Sequence, residues 1–242
     1  TSGVWTGPSV KTVATSTGQK FIVSDQDLPA QTGPIDGHIN RKGQPAVESN
    51  VAREVVFDRV FELSPTNFWQ VHPRAAETLV SAVMELARPQ QGETVFDLYS
   101  GVGLFTRFLA EAVGESGRVH SIEGNRLSHS FAQRNLAQFP QVQAHHGSVE
   151  KVLGRETLPP TADVIVLDPP RAGAKLAISD IAAREPRRIV HVACDPAAMA
   201  RDVALYRDHG YRLSKIRAFA LFPMTHHVEC VAMFEHSNQG RS

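Results

Sequence analysis

Four residues of this 242-residue chain have types and positions that could do chemistry, each at the end of an apolar run: Asp97, Glu123, Asp168 and Cys194. Asp97 closes the run Val95-Phe96 and is followed by Leu98-Tyr99-Ser100-Gly101-Val102-Gly103. Gly101 and Gly103 leave room for a ligand to approach the backbone, and glycine tolerates positive φ. The next apolar run ends at Glu123, about 20 residues on, the spacing at which an acid can bond ribose hydroxyls in a nucleoside site. A Gly-x-Gly turn also serves plain strand-to-helix packing. Asp168 opens Asp168-Pro169-Pro170-Arg171, a rigid turn in which two prolines fix φ and remove two donors. Asp before Pro-Pro is also an ordinary turn starter. Cys194 stands before Asp195-Pro196 and a helical pattern. A thiol at a helix N-terminus is expected to have a lowered pKa, because free N–H groups stabilise the thiolate. A thiolate is the soft nucleophile needed to add to an electron-poor ring carbon. A strand-end cysteine can equally be a small hydrophobe. In the closing run, His227 and Glu229 share one strand face and Val228 and Cys230 the other. Glu229, opening an apolar strand, needs either an ion-pair partner or a function, and Cys230 reads as core.

The elements that must position these residues follow from periodicity. Residues 64–73 read as a loop in which Phe68, Trp69 and Gln70 either cover a ligand or pack under a helix start. Pro73 suits the first helical position, and Ala76, Leu79, Val80, Val83, Met84 and Leu86 repeat at helical spacing. Strands are expected at 95–98, 119–122, 142–146, 162–167 and 188–193, and helices at 104–113, 126–139 (containing Asn135), 178–184 and 197–209. The runs 211–221 and 227–234 read as an antiparallel pair. Such alternation builds a mostly parallel sheet with helices on both faces, whose strand carboxyl ends form a ligand crevice. Residues 1–63 differ: they are rich in Gly, Thr, Ser and Val, with alternating runs at 12–15 and 20–23, turns at Asp36-Gly37 and Lys42-Gly43, and a strand at 55–63. The expected division is a partial β-rich piece, 1–63, and an α/β domain, 64–242.

Composition sets outer bounds. Hydrophobic residues make up 42% and charged residues 21%, with zero formal net charge, which argues mildly against a large nucleic-acid footprint. Two cysteines are too few for a disulfide framework and suggest a reducing, cytoplasmic setting. No apolar run reaches membrane-spanning length. His145-His146 and His226-His227 lack the spacing or companions of a metal site, so no metal is expected. There is no phosphate-loop motif, and Thr106 stands where a dinucleotide fingerprint would place its third glycine. The chain opens Thr1-Ser2-Gly3 without Met, which suggests that further sequence precedes it.

Taken together, Gln70 in Phe-Trp-Gln-Val, Asp97-Leu-Tyr-Ser-Gly-Val-Gly, Asp168-Pro-Pro-Arg, Cys194-Asp-Pro and His227-Val-Glu229 resemble the RNA 5-methyluridine methyltransferases, enzymes acting on uridines in tRNA or 23S ribosomal RNA. The resemblance spans about residues 64 to 236. It implies an α/β fold of the class I, Rossmann-like kind: a seven-stranded, mostly parallel sheet with helices on both faces. It also implies S-adenosyl-L-methionine as cofactor, contacts to it from Gln70, Tyr99, Gly101, Glu123 and Asp168, Cys194 as nucleophile and Glu229 as general base. The implied partner is structured RNA, with neither membrane nor DNA. Ser100, Asp195, His72 and Leu104 depart from the family's usual Cys, Asn, Asn and Asn. The family's N-terminal RNA-binding barrel and the iron–sulfur cluster of some members are not visible in this sequence. Two other readings stay open: a methyltransferase of the same fold acting on another substrate, with Cys194 structural, and a noncatalytic RNA- or nucleotide-binding module.

Overall fold

The computed structural model describes residues 10–14, 20–24, 51–67, 69, 74–219 and 228–237. The chain runs β1 (Val10–Ala14), β2 (Lys20–Ser24), β3 (Ala52–Val56), β4 (Arg59–Leu63), α1 (Ala75–Ala87), β5 (Thr94–Leu98), α2 (Leu104–Val113), β6 (Arg118–Glu123), α3 (Arg126–Asn135), β7 (Val142–His146), α4 (Val149–Leu153), β8 (Val164–Leu167), α5 (Ile178–Ala182), β9 (Arg188–Ala193), α6 (Pro196–Asp208), β10 (Tyr211–Phe219) and β11 (Glu229–His236). Seven strands form one sheet in the order β10-β11-β9-β8-β5-β6-β7. Five of them are parallel, and β11 runs antiparallel to both β9 and β10.

The centre of this sheet is apolar on both faces. Val95, Val164, Val166, Val190, Val192 and Val231 face the layer holding α1 and α2. Phe96, Leu98, Ile165, Leu167, Ile189 and Ala232 face the layer holding α4, α5 and α6. Neighbouring residues on a strand point to opposite faces, so a strand covered on both sides reads as an unbroken apolar run. That is why β5, β8 and β9 were legible as strands while giving no hint of which face a terminal residue would take.

The expected strand over 55–63 is a hairpin instead. β3 and β4 pair antiparallel around Phe57 and Asp58, both at positive φ (47° and 63°). That pair of conformations makes the turn that suits the twist of a two-residue hairpin, and Asp tolerates it far better than Phe. Phe57 therefore disguised the turn. Val56 and Phe61 of the hairpin are buried with Leu79, Val83 and Phe108 in the α1–α2 core, so the hairpin packs directly on the α/β layer. β1 and β2 form a separate antiparallel pair. The Asp36-Gly37 and Lys42-Gly43 turns and Pro73 lie outside the described residues. The helix expected at 126–139 ends at Asn135, and α4 was not anticipated.

Candidate active site

The sheet places its chemistry by parity. Val95, Val164, Val166, Val190, Val192 and Val231 all face the α1–α2 layer. Counting by twos, Asp97, Asp168, Cys194 and Glu229 fall on that same side. Register supplies the second coordinate. The final pair between β9 and β11 is Ala193 with Cys230, so the next step sets Cys194 opposite Glu229. Opposed positions of an antiparallel pair have Cβ atoms roughly 4.5–5.5 Å apart. Asp168 follows the end of β8, with its N–H donating to the Leu98 carbonyl at 3.2 Å. The thiol and three carboxylates thus gather at one end of the central strands, where α/β sheets hold their ligands.

The β5–β6 part of this crevice is built from backbone donors. Gly101 adopts φ +57° and a Cβ there would meet none of the described residues within 4 Å, so the loop leaves room for close approach to its backbone. Gly103, at φ +91°, is needed for packing: a Cβ would come 2.9 Å from Leu136. Tyr99 is also left-handed, with φ 60°, a strained conformation for an aromatic residue. Its hydroxyl donates to Glu150 at 3.2 Å, and burial followed by the Glu150 charge pushes its pKa up. Glu123 accepts from the N–H of Gly101 at 2.8 Å and of Asn125 at 2.6 Å. Asn125 in turn caps α3 by accepting from the N–H groups of Leu127 and Ser128. Glu123 is therefore locked between the glycine loop and a helix start.

Asp97 is fully buried. Thr106, read in the sequence only as a missing glycine, donates its hydroxyl to Asp97 Oδ2 at 2.5 Å. Among the described residues, Oδ1 has no hydrogen-bond partner, and neither has the buried Ser100 hydroxyl. Burial first, and the charge of Glu123 as a lesser cause, push the Asp97 pKa up to about 7 despite the Thr106 hydrogen bonds. Asp168 is pushed up to about 8, by burial first and then by Glu229 and Asp97.

Cys194 overturns one expectation. Its thiol pKa is raised, chiefly by burial and then by the charges of Glu229 and Asp168, with Arg171 opposing. The sequence argument assumed free N–H groups at the α6 start. Those donors are taken: Asp195 accepts from Ala197 N–H at 2.7 Å and Ala198 N–H at 3.3 Å. Glu229 is buried, and desolvation raises its pKa against the lowering effect of Arg171. Cys230 is buried as a free thiol on β11. Arg171 acts on both Cys194 and Glu229, a role that sequence reading did not assign although the residue stood in the quoted motif. The signal was available in retrospect: a cation directly after a rigid acid-proline turn. Gln70 and His227 lie outside the described residues. Trp69 is partly buried against Phe61, ring centroids 6.0 Å apart, so this aromatic packs under the entry to α1.

A seven-stranded sheet with one antiparallel member, a glycine loop after its first parallel strand and an acid ending the second define a class I methyltransferase domain. Comparison with known proteins narrows the class. Residues 160–237 match the tRNA (Uracil-5-)-methyltransferase family. A protein of Streptomyces coelicolor named as an uncharacterized RNA methyltransferase is 44% identical over 228 residues, covering 92% of this chain and 48% of that protein. The 23S rRNA (uracil(1939)-C(5))-methyltransferase of Acinetobacter baylyi is 36% identical over 182 residues, covering 74% of this chain and 39% of that protein. The crystal structure of Pyrococcus abyssi tRNA (uracil-54, C5)-methyltransferase in complex with S-adenosyl-L-homocysteine superposes with a TM-score of 0.65 at 31% identity, covering 79% of this chain and 46% of that one. Over most of its length the chain is thus similar to RNA uracil-C5 methyltransferases. The chain spans about half the length of the curated relatives it matches.

Proposed function

We propose that this chain is the catalytic part of an enzyme that transfers a methyl group from S-adenosyl-L-methionine to C5 of a uridine in structured RNA, either 23S ribosomal RNA or tRNA. The observation that carries the reading is that Cys194, one residue beyond β9, and Glu229, the first residue of β11, both adjoin the final Ala193–Cys230 pair, on the same side of the sheet as Asp97 and Asp168.

The cofactor fits the residues present. S-adenosyl-L-methionine supplies an electrophilic methyl group on a sulfonium and carries an ammonium group. Asp97, Glu123 and Asp168 form an acidic surround in which one buried carboxylate oxygen has no hydrogen-bond partner among the described residues, a setting that favours a cationic ligand. Gly101 admits close approach, and Gln70, Tyr99, Gly101, Glu123 and Asp168 are the proposed contacts.

The target carbon needs activation, because uracil C5 is a poor nucleophile. The Cys194 sulfur bonds to C6 as the thiol proton leaves to solvent, and the electron pair of C5=C6 shifts toward C5. With the cofactor held in the crevice, C5 would take the methyl group as its bond to the sulfonium sulfur breaks, the electron pair staying on the departing thioether, S-adenosyl-L-homocysteine. Glu229 removes the C5 proton, C5=C6 re-forms and the C6–S bond breaks, returning the thiolate. Burial suits Glu229 to this task by raising its pKa above the ordinary carboxylate value. The raised thiol pKa makes Arg171 part of the proposal, since its charge favours the thiolate.

Trapping with 5-fluorouridine RNA tests the reading. Fluorine cannot leave C5 as a proton does, so the full-length enzyme should form a stable adduct that maps to Cys194 by mass spectrometry. Methyl transfer to uridine C5 without any adduct would exclude the covalent route, and the absence of both transfer and adduct with the cognate RNA would favour another substrate or a binding role.

A further inference from the structure

Beyond these groups, one buried carboxylate has no part in the reaction just described. Asp202 lies within α6 and is 2% exposed. The buried positions of this helix run Ala198, Met199, Asp202 and Tyr206, so the carboxylate occupies a place in the apolar stripe. Burying a carboxylate costs several kcal/mol unless its partners offset that cost, and a well-packed leucine or methionine would serve stability as well. Its surroundings point to another use. Asp202 Oδ2 accepts from the Ala174 N–H at 2.8 Å. Gly173, at φ +83°, lies so close that a Cβ would come 2.6 Å from the same oxygen. The loop backbone is laid directly on the carboxylate.

That loop begins at Asp168, whose N–H is tied to Leu98 of β5, and it is stiffened by Pro169 and Pro170. Arg171 hangs between the two anchors. We propose that Asp202 is a positioning residue: by fixing Gly173 and Ala174 to α6, the helix that starts immediately after Cys194, it holds the Arg171 guanidinium against Cys194 and Glu229. The proposal rests on the reading of Cys194 as the reacting thiol. The groups facing Cys194 are Glu229 on β11, Asp168 after β8 and Arg171 on the loop. Those around Asp202 are His191 on β9, 3.9 Å away, Tyr206 and Arg201 on α6, and Tyr99 after β5.

The pH profile of Cys194 alkylation by iodoacetamide, followed on its own peptide in the full chain, reads the arrangement without RNA. Arg171→Met should lower the rate at pH 8 by about threefold, equivalent to roughly half a pH unit in the titration midpoint. Asp202→Ala should shift the profile in the same direction by a similar amount, and the double variant should go no further. Asp202→Asn keeps an acceptor for Ala174 and should restore the native profile. Gly173→Ala, which forces the loop off an intact carboxylate, should copy Asp202→Ala and stands in for it should that variant fail to fold. A native profile in Asp202→Ala or, failing that, in Gly173→Ala, additive shifts in the double variant, or no rescue by Asp202→Asn would overturn the proposal. Failure of 5-fluorouridine trapping alongside the expected titration would remove the assigned reaction while leaving the loop geometry supported.

Discussion

At the β5–β6 end of the crevice, Glu123 is held by two backbone N–H groups, and its supporting turn is fixed by Asn125. At the β8–β9–β11 end, Asp168 and Glu229 crowd a thiol, and the cation that relieves them arrives on a loop anchored from elsewhere. The first end is assembled from segments near in sequence, where local turn chemistry sets the donors. The second is assembled from three strands and a helix that meet only in the sheet. Backbone amides can be specified by a short motif. A balance among side-chain charges requires the whole sheet to be in register, and here that balance is unfavourable until a partner enters.

Removing the thiol should separate the two ends most sharply. Cys194→Ala is expected to abolish the RNA adduct and cut turnover by roughly 10^3-fold or more, with S-adenosyl-L-homocysteine affinity by calorimetry unchanged within about twofold. A matching loss of affinity would mean the two ends are one unit. Glu229→Gln comes next: adduct formation should survive while turnover falls about 10^2- to 10^4-fold, so adduct accumulates on normal RNA. Unimpaired product release in this variant would deny Glu229 the base role.

Both ends can be probed through pH, by Asp97 on β5 and Asp168 after β8. The folded-state pKa values of Asp97 and Asp168, about 7 and about 8, lie above the ordinary carboxylate value. Between the unfolded and folded values the native state binds more protons than the unfolded chain, so their contribution to stability is full below about pH 4 and is lost as pH rises through 7 and 8. Thermal unfolding of the ligand-free protein should accordingly show Tm declining from pH 5 to 8, by about 2–4 °C for each kcal/mol lost. Asp97→Asn should flatten this slope, and saturating S-adenosyl-L-methionine should restore stability most at the alkaline end. A slope unchanged in Asp97→Asn would place the titration elsewhere.

A smaller effect should come from Asn135. Its side chain accepts from Glu62 N–H at 2.8 Å and donates to the carbonyls of Glu62 and Val102, each at 2.9 Å, tying the hairpin to the glycine loop. Asn135→Ala should cost about 1–3 kcal/mol in urea unfolding, and a shift in cofactor affinity along with it would show that the hairpin supports the β5–β6 end.

Periodicity revealed the sheet and its helices because strands buried on both faces must be apolar throughout, and α2, β7 and β9 fall where the runs indicated. The hairpin was hidden by Phe57, whose left-handed backbone no residue preference would suggest. The candidate site was legible as a set of strand ends, and the motifs supplied the resemblance. What the thiol experiences was not legible. Its pKa is set by burial and by the charges of Glu229 and Asp168, which reach it from β11 and from the end of β8 and leave no trace in the residues around Cys194.

By itself, then, the sequence determined which residues end strands and which turns let a ligand reach the backbone, since both are local consequences of burial and glycine. Only the tertiary structure decided that Cys194 and Glu229 adjoin the same strand pair, that Asp97 keeps an oxygen with no partner among the described residues, and that Asp202 grips the loop of Arg171. Those facts depend on register, on strand parity and on desolvation by distant segments, which pattern along one chain does not encode.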